Sequence, residues 1–261
     1  MRIAVVSDIH GNLPALQAVV ADFTRRGVDA VVNLGDSLSG PLLPLETAQF
    51  LMAQDWVQLR GNHERQILSP PMADDDPSDV YARGRLGAAE REWIGALPHC
   101  RAWSDEVLLC HGTPARDGEF FLESVEPGRL RAASGDEVAT RLGDVASAVV
   151  VCGHSHVPRI MRSARGQLLV NPGSVGQPAW DDEQPCYHAV ENAAPDARYA
   201  IVERRDGCWQ AELIALPYDH AAMSALALRH GRPDWESILL RGRVDRGMPA
   251  VNPASSPSAD R

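Results

Sequence analysis

The stretch RIAVVSDIHG, residues 2–11, is an apolar run that stops abruptly at two side chains of the metal-ligating type, Asp8 and His10. The run itself has the β-branched, unbroken apolar character of a strand that is buried on both faces. LPALQAVVADFTRRG (13–27) then has helical periodicity, and VDAVVNLGD (28–36) returns as a second strand. The order predicts a parallel βαβ unit with a right-handed crossover, and hence an α/β fold.

Further along the chain the pattern changes from alternating strands and helices to hairpins. DWVQLRGNHE (55–64) predicts another short strand, and after an acidic loop we expect a helix over roughly residues 79–95. CRAWSDEVLLCHG (100–112) and YAIVERRDGCWQAELIAL (199–216) each place two strand-like runs around Ser-Asp or Asp-Gly. The second half is therefore expected to contain more antiparallel strands.

Length and composition limit the domain count and the class of partner. With 261 residues and 44% hydrophobic content, one mixed α/β domain is expected over residues 1–243. Residues 244–261 are rich in Pro, Ser and Ala, which predicts a mobile tail. A net charge of −10 and 5% aromatic residues argue against a nucleic-acid polymer as partner, because such binding needs clustered cations or stacking platforms.

Cysteine usage and hydropathy indicate a cytoplasmic protein. The five cysteines are odd in number and form no C-x-x-C pair, so neither a disulfide framework nor a thiolate zinc site is indicated. The first apolar run is too short for a signal peptide, and no stretch is long enough to span a membrane. We therefore expect reduced thiols and no membrane association.

Five polar clusters follow apolar runs and contain the side chains that could bind a metal ion or take part in catalysis. They are SDIHG (7–11), LGDS (34–37), RGNHER (60–65), CHGTP (110–114) and CGHSH (152–156). Ligand-binding groups in α/β sheets gather beyond the carboxyl ends of the strands, so these clusters can meet in one crevice. Asp8 and His10 are two residues apart, as are His154 and His156, and on extended backbone each pair projects to one side.

A single polar side chain at a strand end is more often a cap or turn residue than a ligand. Asn62 alone fits a turn and Asp36 alone fits an N-cap. Four further histidines lie outside the clusters and are interpreted as surface or core residues: His99, His188, His220 and His230. Five clusters that each follow an apolar run favour the ligand interpretation for the set.

The candidate ligands are four histidines, two carboxylates and one amide, namely His10, His111, His154, His156, Asp8, Asp36 and Asn62. Mixed imidazole and carboxylate donors favour Mn, Fe, Co or Zn over Mg or Ca. Seven ligands exceed what one such ion needs, so two ions that share a carboxylate are predicted. Two divalent cations and two carboxylates leave a positive site, which suits a phosphate group attacked by a metal-bridging hydroxide.

The five clusters occur in the order D-x-H, G-D, G-N-H-E, H-G and G-H-x-H over residues 1–175. In this order they resemble the calcineurin-like metallophosphoesterase superfamily. GHSHVPR (153–159) and NPGSVGQP (171–178) further resemble its single-domain bacterial and archaeal predicted phosphoesterases. The resemblance implies a four-layer αββα sandwich of two mixed β-sheets flanked by helices.

The resemblance also implies a role for each candidate residue. One ion would be held by Asp8, His10, Asp36 and His156, and the other by Asp36, Asn62, His111 and His154. His63 would face the phosphate and protonate the leaving oxygen or stabilise the transition state. The implied activity is that of a phosphoric ester hydrolase with two divalent transition ions, of which Mn is favoured.

One departure from the family bears on the substrate. GDSLSGP (35–41) lacks the phosphate-binding arginine of the G-D-x-x-D-R-G block in related protein phosphatases, and Arg60 or Arg65 could replace it or form surface ion pairs. The absence favours a small phosphodiester or nucleotide-type substrate, with a phosphomonoester, as in protein phosphatases, as the alternative. A non-catalytic metal-binding scaffold is a second alternative, although all seven ligand positions and His63 are retained.

Overall fold

The computed structural model describes residues 1–245 of the chain. The strands in this range are β1 Arg2–Val6, β2 Ala30–Asn33, β3 Val57–Gln58, β4 Cys100–Ala102, β5 Val107–Cys110, β6 Glu123–Glu126, β7 Gly128–Ala132, β8 Val149–Val151, β9 Arg159–Arg162, β10 Leu168–Asn171, β11 Ala179–Asp182, β12 His188–Glu191, β13 Ala197–Arg205 and β14 Cys208–Leu216. The helices are α1 Leu13–Arg26, α2 Pro44–Met52, α3 Asn62–Leu68, α4 Pro77–Arg85, α5 Ala88–Ala96, α6 Gly135–Leu142, α7 His220–Arg229 and α8 Asp234–Arg241.

Two five-stranded mixed sheets form the centre of the fold. The first has the order β14-β13-β1-β2-β3, with β1, β2 and β3 parallel, so the predicted βαβ unit is present. The second has the order β4-β5-β8-β10-β9, with β5, β8 and β10 parallel. Both predicted hairpins are confirmed as the antiparallel pairs β4–β5 and β13–β14.

The two sheets pack face to face and helices cover their outer faces. Val5 and Leu34 of the first sheet share one buried cluster with Leu109 and Val151 on the second. On the outer side of the first sheet, α1 packs onto alternate residues of β1 and β13. On the outer side of the second sheet, α6 packs onto β5, β8 and β10. These layers are the predicted αββα sandwich, which places the parallel strands β1, β2, β5 and β8 in the interior.

The structure corrects two sequence-based expectations. A third sheet of four strands, in the order β11-β12-β7-β6, accompanies the two that were expected. The single helix predicted over roughly 79–95 is instead two helices, α4 and α5, because Leu86 and Gly87 adopt extended backbone between them. The Glu90 carboxylate accepts the Gly87 N–H at 2.9 Å and so caps the N-terminus of α5.

The last residues that the structure describes remain attached to the fold. Val244 is buried with Ala179, Ala189 and Ile238, and its N–H donates to Glu191 Oε1 at 3.1 Å. Residues 246–261 of the predicted mobile tail lie outside the described residues, so the tail stays a prediction. Across residues 1–245, no helix combines the length and apolar character needed to cross a membrane.

Candidate metal centre

The candidate ligands converge where the strands of the two sheets end. Asp8 and His10 follow β1, and Asp36 follows β2. Their partners come from the second sheet and from α3, and the side chains form two buried groups. One group is Asp8, His10 and His156, and the other is Asp36, His111 and His154, with the ligand atoms of each within 4.8 Å of one another. Asn62, the first residue of α3, places its Oδ1 3.2 Å from His111 Nε2.

Backbone carbonyls fix the tautomers of three of the histidines. The Nδ1–H groups donate from His10 to Ser39 O (2.7 Å), from His111 to Leu34 O (2.9 Å) and from His156 to Gln177 O (2.8 Å). A carbonyl oxygen only accepts, so each ring carries its proton on Nδ1 and turns its Nε2 towards the centre. This arrangement is typical of imidazoles that ligate a metal through Nε2.

The inward-facing nitrogens and oxygens fit a cation. His10 Nε2 lies 3.2 Å from His156 Nε2, and His156 Nε2 lies 3.3 Å from Asp8 Oδ1. In the second group, His111 Nε2 lies 2.9 Å from Asp36 Oδ2. Lone pairs that face each other at these distances repel unless a proton or a metal ion lies between them. The donor set, buried imidazole with carboxylate, therefore fits divalent transition ions.

The buried surroundings keep two of the histidines in the neutral form that ligates metals. Burial, assisted by His156 and His63, lowers the pKa of His10 to about 3. Burial and the neighbouring His111 likewise lower the pKa of His154 to about 4. Burial alone would raise the pKa of Asp36, but His111 and His63 hold it well below its usual range. Neutral imidazoles and an ionised carboxylate are the forms that coordinate a cation.

The backbone at the ligands is left-handed, which corrects the expectation that each pair projects from extended backbone. The φ angles are 56° at Asp8, 52° at His10, 50° at Asp36, 66° at His154 and 59° at His156. His154 and His156 belong to different ligand groups although they are two residues apart, whereas Asp8 and His10, at the same spacing, share one group. Non-glycine residues in this region cost of order 1–3 kcal/mol each and persist where the surroundings enforce them.

Close backbone packing enforces these turns. A Cβ on Gly153 would overlap Ser7 Oγ, and a Cβ on Gly176 would overlap Ile9 O. Asn171 donates from its side chain to Gly153 O at 2.7 Å, and Ser174 Oγ donates to Asp8 O at 2.7 Å. The NPGSVGQP segment thus holds the two ligand-bearing turns together, a role that its sequence did not reveal.

Glu64 is the anchor of the Asp36 turn, and sequence reasoning gave it no role. Its side chain is 1% exposed and its carboxylate accepts four backbone N–H groups. The donors are Asp36 (2.8 Å), Ser37 (2.8 Å), Leu38 (3.2 Å) and Gly61 (2.8 Å). The fourth residue of G-N-H-E therefore joins the turn after β2 to the start of α3.

His63 lies beside the ligands and is held by a residue that the sequence interpretation misplaced. His63 Nδ1 lies 2.9 Å from Asp79 Oδ1, and Asp79 is 2% exposed. Burial would lower the pKa of His63, but Asp36 and Asp79 outweigh it and raise the pKa to about 10. The acidic run that contains Asp79 was expected to be a loop, but Asp79 is buried in the first turn of α4.

Three carboxylates of this run have partners within the protein. Asp75 forms an ion pair with Arg83, and Asp76 Oδ1 caps α4 by accepting the Ser78 N–H at 2.6 Å. Asp79 binds His63 as described above. The signal available in the sequence was Asp-Pro-Ser-Asp (76–79), in which an N-cap residue precedes a proline at the first helical position.

A cleft of about 1410 Å³ opens over the two ligand groups. Phe120 forms part of its wall. The Phe120 ring stacks on His154, with 4.8 Å between the ring centroids, and on Trp180, with 5.9 Å between the ring centroids. Carboxylates outnumber arginines in the lining by nine to five. Trp180, Asp181 and Asp182 of the segment GQPAWDDE (176–183) also line the cleft.

The two arginine candidates have different surroundings. Arg65 forms two hydrogen bonds with Asp117, at 2.8 and 3.0 Å. Arg60 also lines the cleft, but within residues 1–245 its Nε is buried without a hydrogen-bond partner. Within residues 1–245, Arg65 thus has a carboxylate partner and Arg60 has no ion pair.

Residues 1–193 match the calcineurin-like phosphoesterase superfamily domain. The chain belongs to this superfamily. Its class of reaction is therefore the metal-dependent hydrolysis of a phosphoester.

Individual relatives support the assignment. The chain is 25% identical over 256 residues to an uncharacterized protein of Methanocaldococcus jannaschii. This alignment covers 89% of the chain and 94% of that protein. It is 29% identical over 184 residues to the phosphodiesterase YfcE of Escherichia coli, covering 68% and 81% respectively. A metallophosphoesterase from Sphaerobacter thermophilus superposes with a TM-score of 0.72 at 22% identity over 93% of this chain and 99% of that one.

Replacing Glu64 tests how the Asp36 turn is held. We expect Glu64→Gln to lower the free energy of unfolding by roughly 1–3 kcal/mol, because an amide presents one oxygen where two accept the backbone N–H groups. The variant should also bind less metal, since Asp36 loses its fixed position. Urea unfolding and elemental analysis measure both, with the exposed Glu92→Gln as the control. Full metal content in Glu64→Gln would contradict this role.

Proposed function

We propose that this phosphoesterase is a dinuclear enzyme that hydrolyses a small phosphodiester or nucleotide-type substrate. The observation that carries the proposal is the presence of two adjacent ligand groups under one cleft. They are linked where the His154 N–H donates to the Asp8 carboxylate at 3.2 Å. One ion would be held by Asp8, His10, Asp36 and His156, and the other by Asp36, Asn62, His111 and His154.

The imidazole-rich donor set favours Mn, Fe, Co or Zn, and we propose Mn. When bound, the ions would supply Lewis-acid activation of water and neutralise charge on the phosphate. Asp36 suits the shared position, because its Oδ2 faces His111 of one group and its backbone O accepts the backbone N–H of His10, from the other group, at 3.1 Å. Its Oδ1 accepts the backbone N–H of His63 at 2.9 Å. That second bond fixes the carboxylate plane and ties it to the start of α3.

His63 is proposed as the general acid. Its Nδ1 is occupied by Asp79, which leaves Nε2 as the nitrogen that can reach a substrate in the cleft. Asp36 and Asp79 raise the pKa of His63 against the effect of burial, which favours the protonated ring, and Asp79 bonds its Nδ1 directly. A protonated imidazole with a fixed orientation can donate to the leaving oxygen as the ester bond breaks.

The cleft walls support a small substrate with a flat leaving group. Phe120 and Trp180 offer aromatic surface next to His154. The excess of carboxylates in the lining repels a polyanionic chain, which agrees with a single phosphodiester better than with a nucleic-acid polymer. The relative from Escherichia coli is named a phosphodiesterase. Arg60 is proposed to bind a non-bridging phosphate oxygen.

Leaving-group dependence tests the role of His63. We expect His63→Asn to retain its metals and lose roughly 10²- to 10⁴-fold in kcat on substrates with poor leaving groups, since general acid catalysis contributes about that much. Asp79→Asn should lose less in the same direction. Nitrophenyl esters, whose leaving group needs no proton, should be affected least in both variants. Loss of one metal equivalent in His63→Asn would place His63 among the ligands and contradict the assignment.

A substrate panel tests the proposed reaction. The metal-reconstituted enzyme is assayed against bis- and mono-nitrophenyl phosphates, cyclic nucleotides, dinucleoside polyphosphates and phosphopeptides under one set of conditions. We expect the highest kcat/KM for a diester or nucleotide. We also expect Arg60→Met to lower it more than Arg65→Met, because the Arg65 guanidinium is already bound by Asp117. Preference for monoesters would favour the phosphatase alternative, and no hydrolysis with both metals bound would favour the scaffold.

A further inference from the structure

The C-terminal helix pair α7–α8 contributes to the cleft although it lies beyond the residues that match the family. The match ends at residue 193, whereas α7 and α8 span His220–Arg229 and Asp234–Arg241. Arg232, Trp235 and Ile238 of this region line the same cleft as His63. One wall of the site therefore comes from residues outside the matched range.

Trp235 anchors this wall against the ligand-bearing turns. Its side chain is 1% exposed and packs with Leu42, which follows the Asp36 turn. The Trp235 ring lies 6.5 Å from the His10 ring, edge to face. A Cβ on Gly40 would come within 3.1 Å of Trp235 Cη2, so the chain approaches the indole closely. The start of α8 is thus fixed relative to the metal centre.

From this anchored position, Arg232 reaches the helix that carries Asp79. Arg232 Nη1 donates to Ser78 Oγ at 3.0 Å, while its Nη2 bonds Asp234 at 2.6 Å. Ser78 is 6% exposed and directly precedes Asp79. A second contact nearby joins the same elements, because His230 lies 2.6 Å from Pro41 O and 2.9 Å from Tyr81 Oη.

We propose that the C-terminal helix pair positions His63, with Arg232 as the positioning residue that acts through Ser78 and Asp79. The Arg232–Ser78 bond holds the first turn of α4 in place, and that turn directs the Asp79 carboxylate at His63 Nδ1. A small displacement of α4 would break the 2.9 Å bond and let the imidazole turn. Misplacement of a catalytic group by about 1 Å can cost on the order of 10²-fold in rate. The inference rests on the proposed role of His63.

The variants Arg232→Met and Ser78→Ala remove the bond from either end, and Arg229→Met is the matched control. Arg229 lies on the same helix pair and is exposed. We expect the first two variants to keep their metal content and KM, and to lose about 10-fold in kcat on substrates with poor leaving groups. Nitrophenyl esters should be turned over within about 2-fold of the unmodified enzyme, because little protonation is needed.

A double-variant cycle separates positioning from general damage. If Arg232 acts through Asp79, then Arg232→Met added to Asp79→Asn should cause little further loss. Equal loss on every substrate, a raised KM or full additivity with Asp79→Asn would overturn the proposal. Ser78→Ala keeps the test valid if Arg232→Met fails to fold, since it removes a single hydroxyl.

A measurement independent of turnover is the Nδ1 proton of His63 in ¹H–¹⁵N NMR of the zinc-reconstituted protein. We expect a downfield, slowly exchanging signal that persists in Arg229→Met and moves upfield or disappears in Arg232→Met and Ser78→Ala. An unchanged signal in both would contradict the inference. If His63→Asn itself leaves turnover intact, the proposed function fails; if His63→Asn is impaired while Arg232→Met matches the control, only this inference fails.

Discussion

Two carboxylates and four imidazoles lie in one almost solvent-free region where the two sheets end, and this burial of polar groups constrains the surrounding structure. Asp8 and Asp36 are 0% and 1% exposed. Buried charges are costly unless they are paired or coordinate metals. Without cations, the facing nitrogens of His10 and His156 would repel. These buried donor groups and the structure around them are therefore suited to binding cations.

Much of the surrounding structure serves to keep these groups in place. The left-handed turns at the ligands require close backbone packing, which Gly153 and Gly176 permit. Glu64 holds the Asp36 turn through four N–H groups, and Asp79 orients His63. Further out, Trp235 of α8 packs against the turn that carries His10. Each of these groups of residues thus holds in place the residues that it contacts nearer to the ligands.

Local patterns in the sequence predicted an α/β fold and the convergence of the ligands, whereas the four-layer sandwich was implied by the family resemblance. Apolar runs that end in Asp, His or Asn mark strand ends, and strand ends in such folds share an edge. Asp79 was missed because its partner, His63, is distant in sequence and the acidic run resembles a solvated loop. The break between α4 and α5 was missed because Leu86 continues the apolar pattern while its backbone is extended.

The third sheet and the roles of α7 and α8 could not be predicted for a different reason. Strands β6, β7, β11 and β12 are short, and the parallel pairing of β7 with β12 joins segments that are distant in sequence. The link from Arg232 to Ser78 spans 154 residues and leaves no local signature. The ligand assignments and the mobile tail remain predictions.

The central claim, two ions that share Asp36, is tested most directly by counting metals. Elemental analysis and hydrolysis assays are performed on the unmodified chain, on Asp36→Asn and on Asp55→Asn, an exposed control. The account predicts two transition-metal equivalents and activity in the unmodified chain and the control, and a joint loss of bound metal and hydrolysis in Asp36→Asn. Two full equivalents with normal turnover in Asp36→Asn would contradict it.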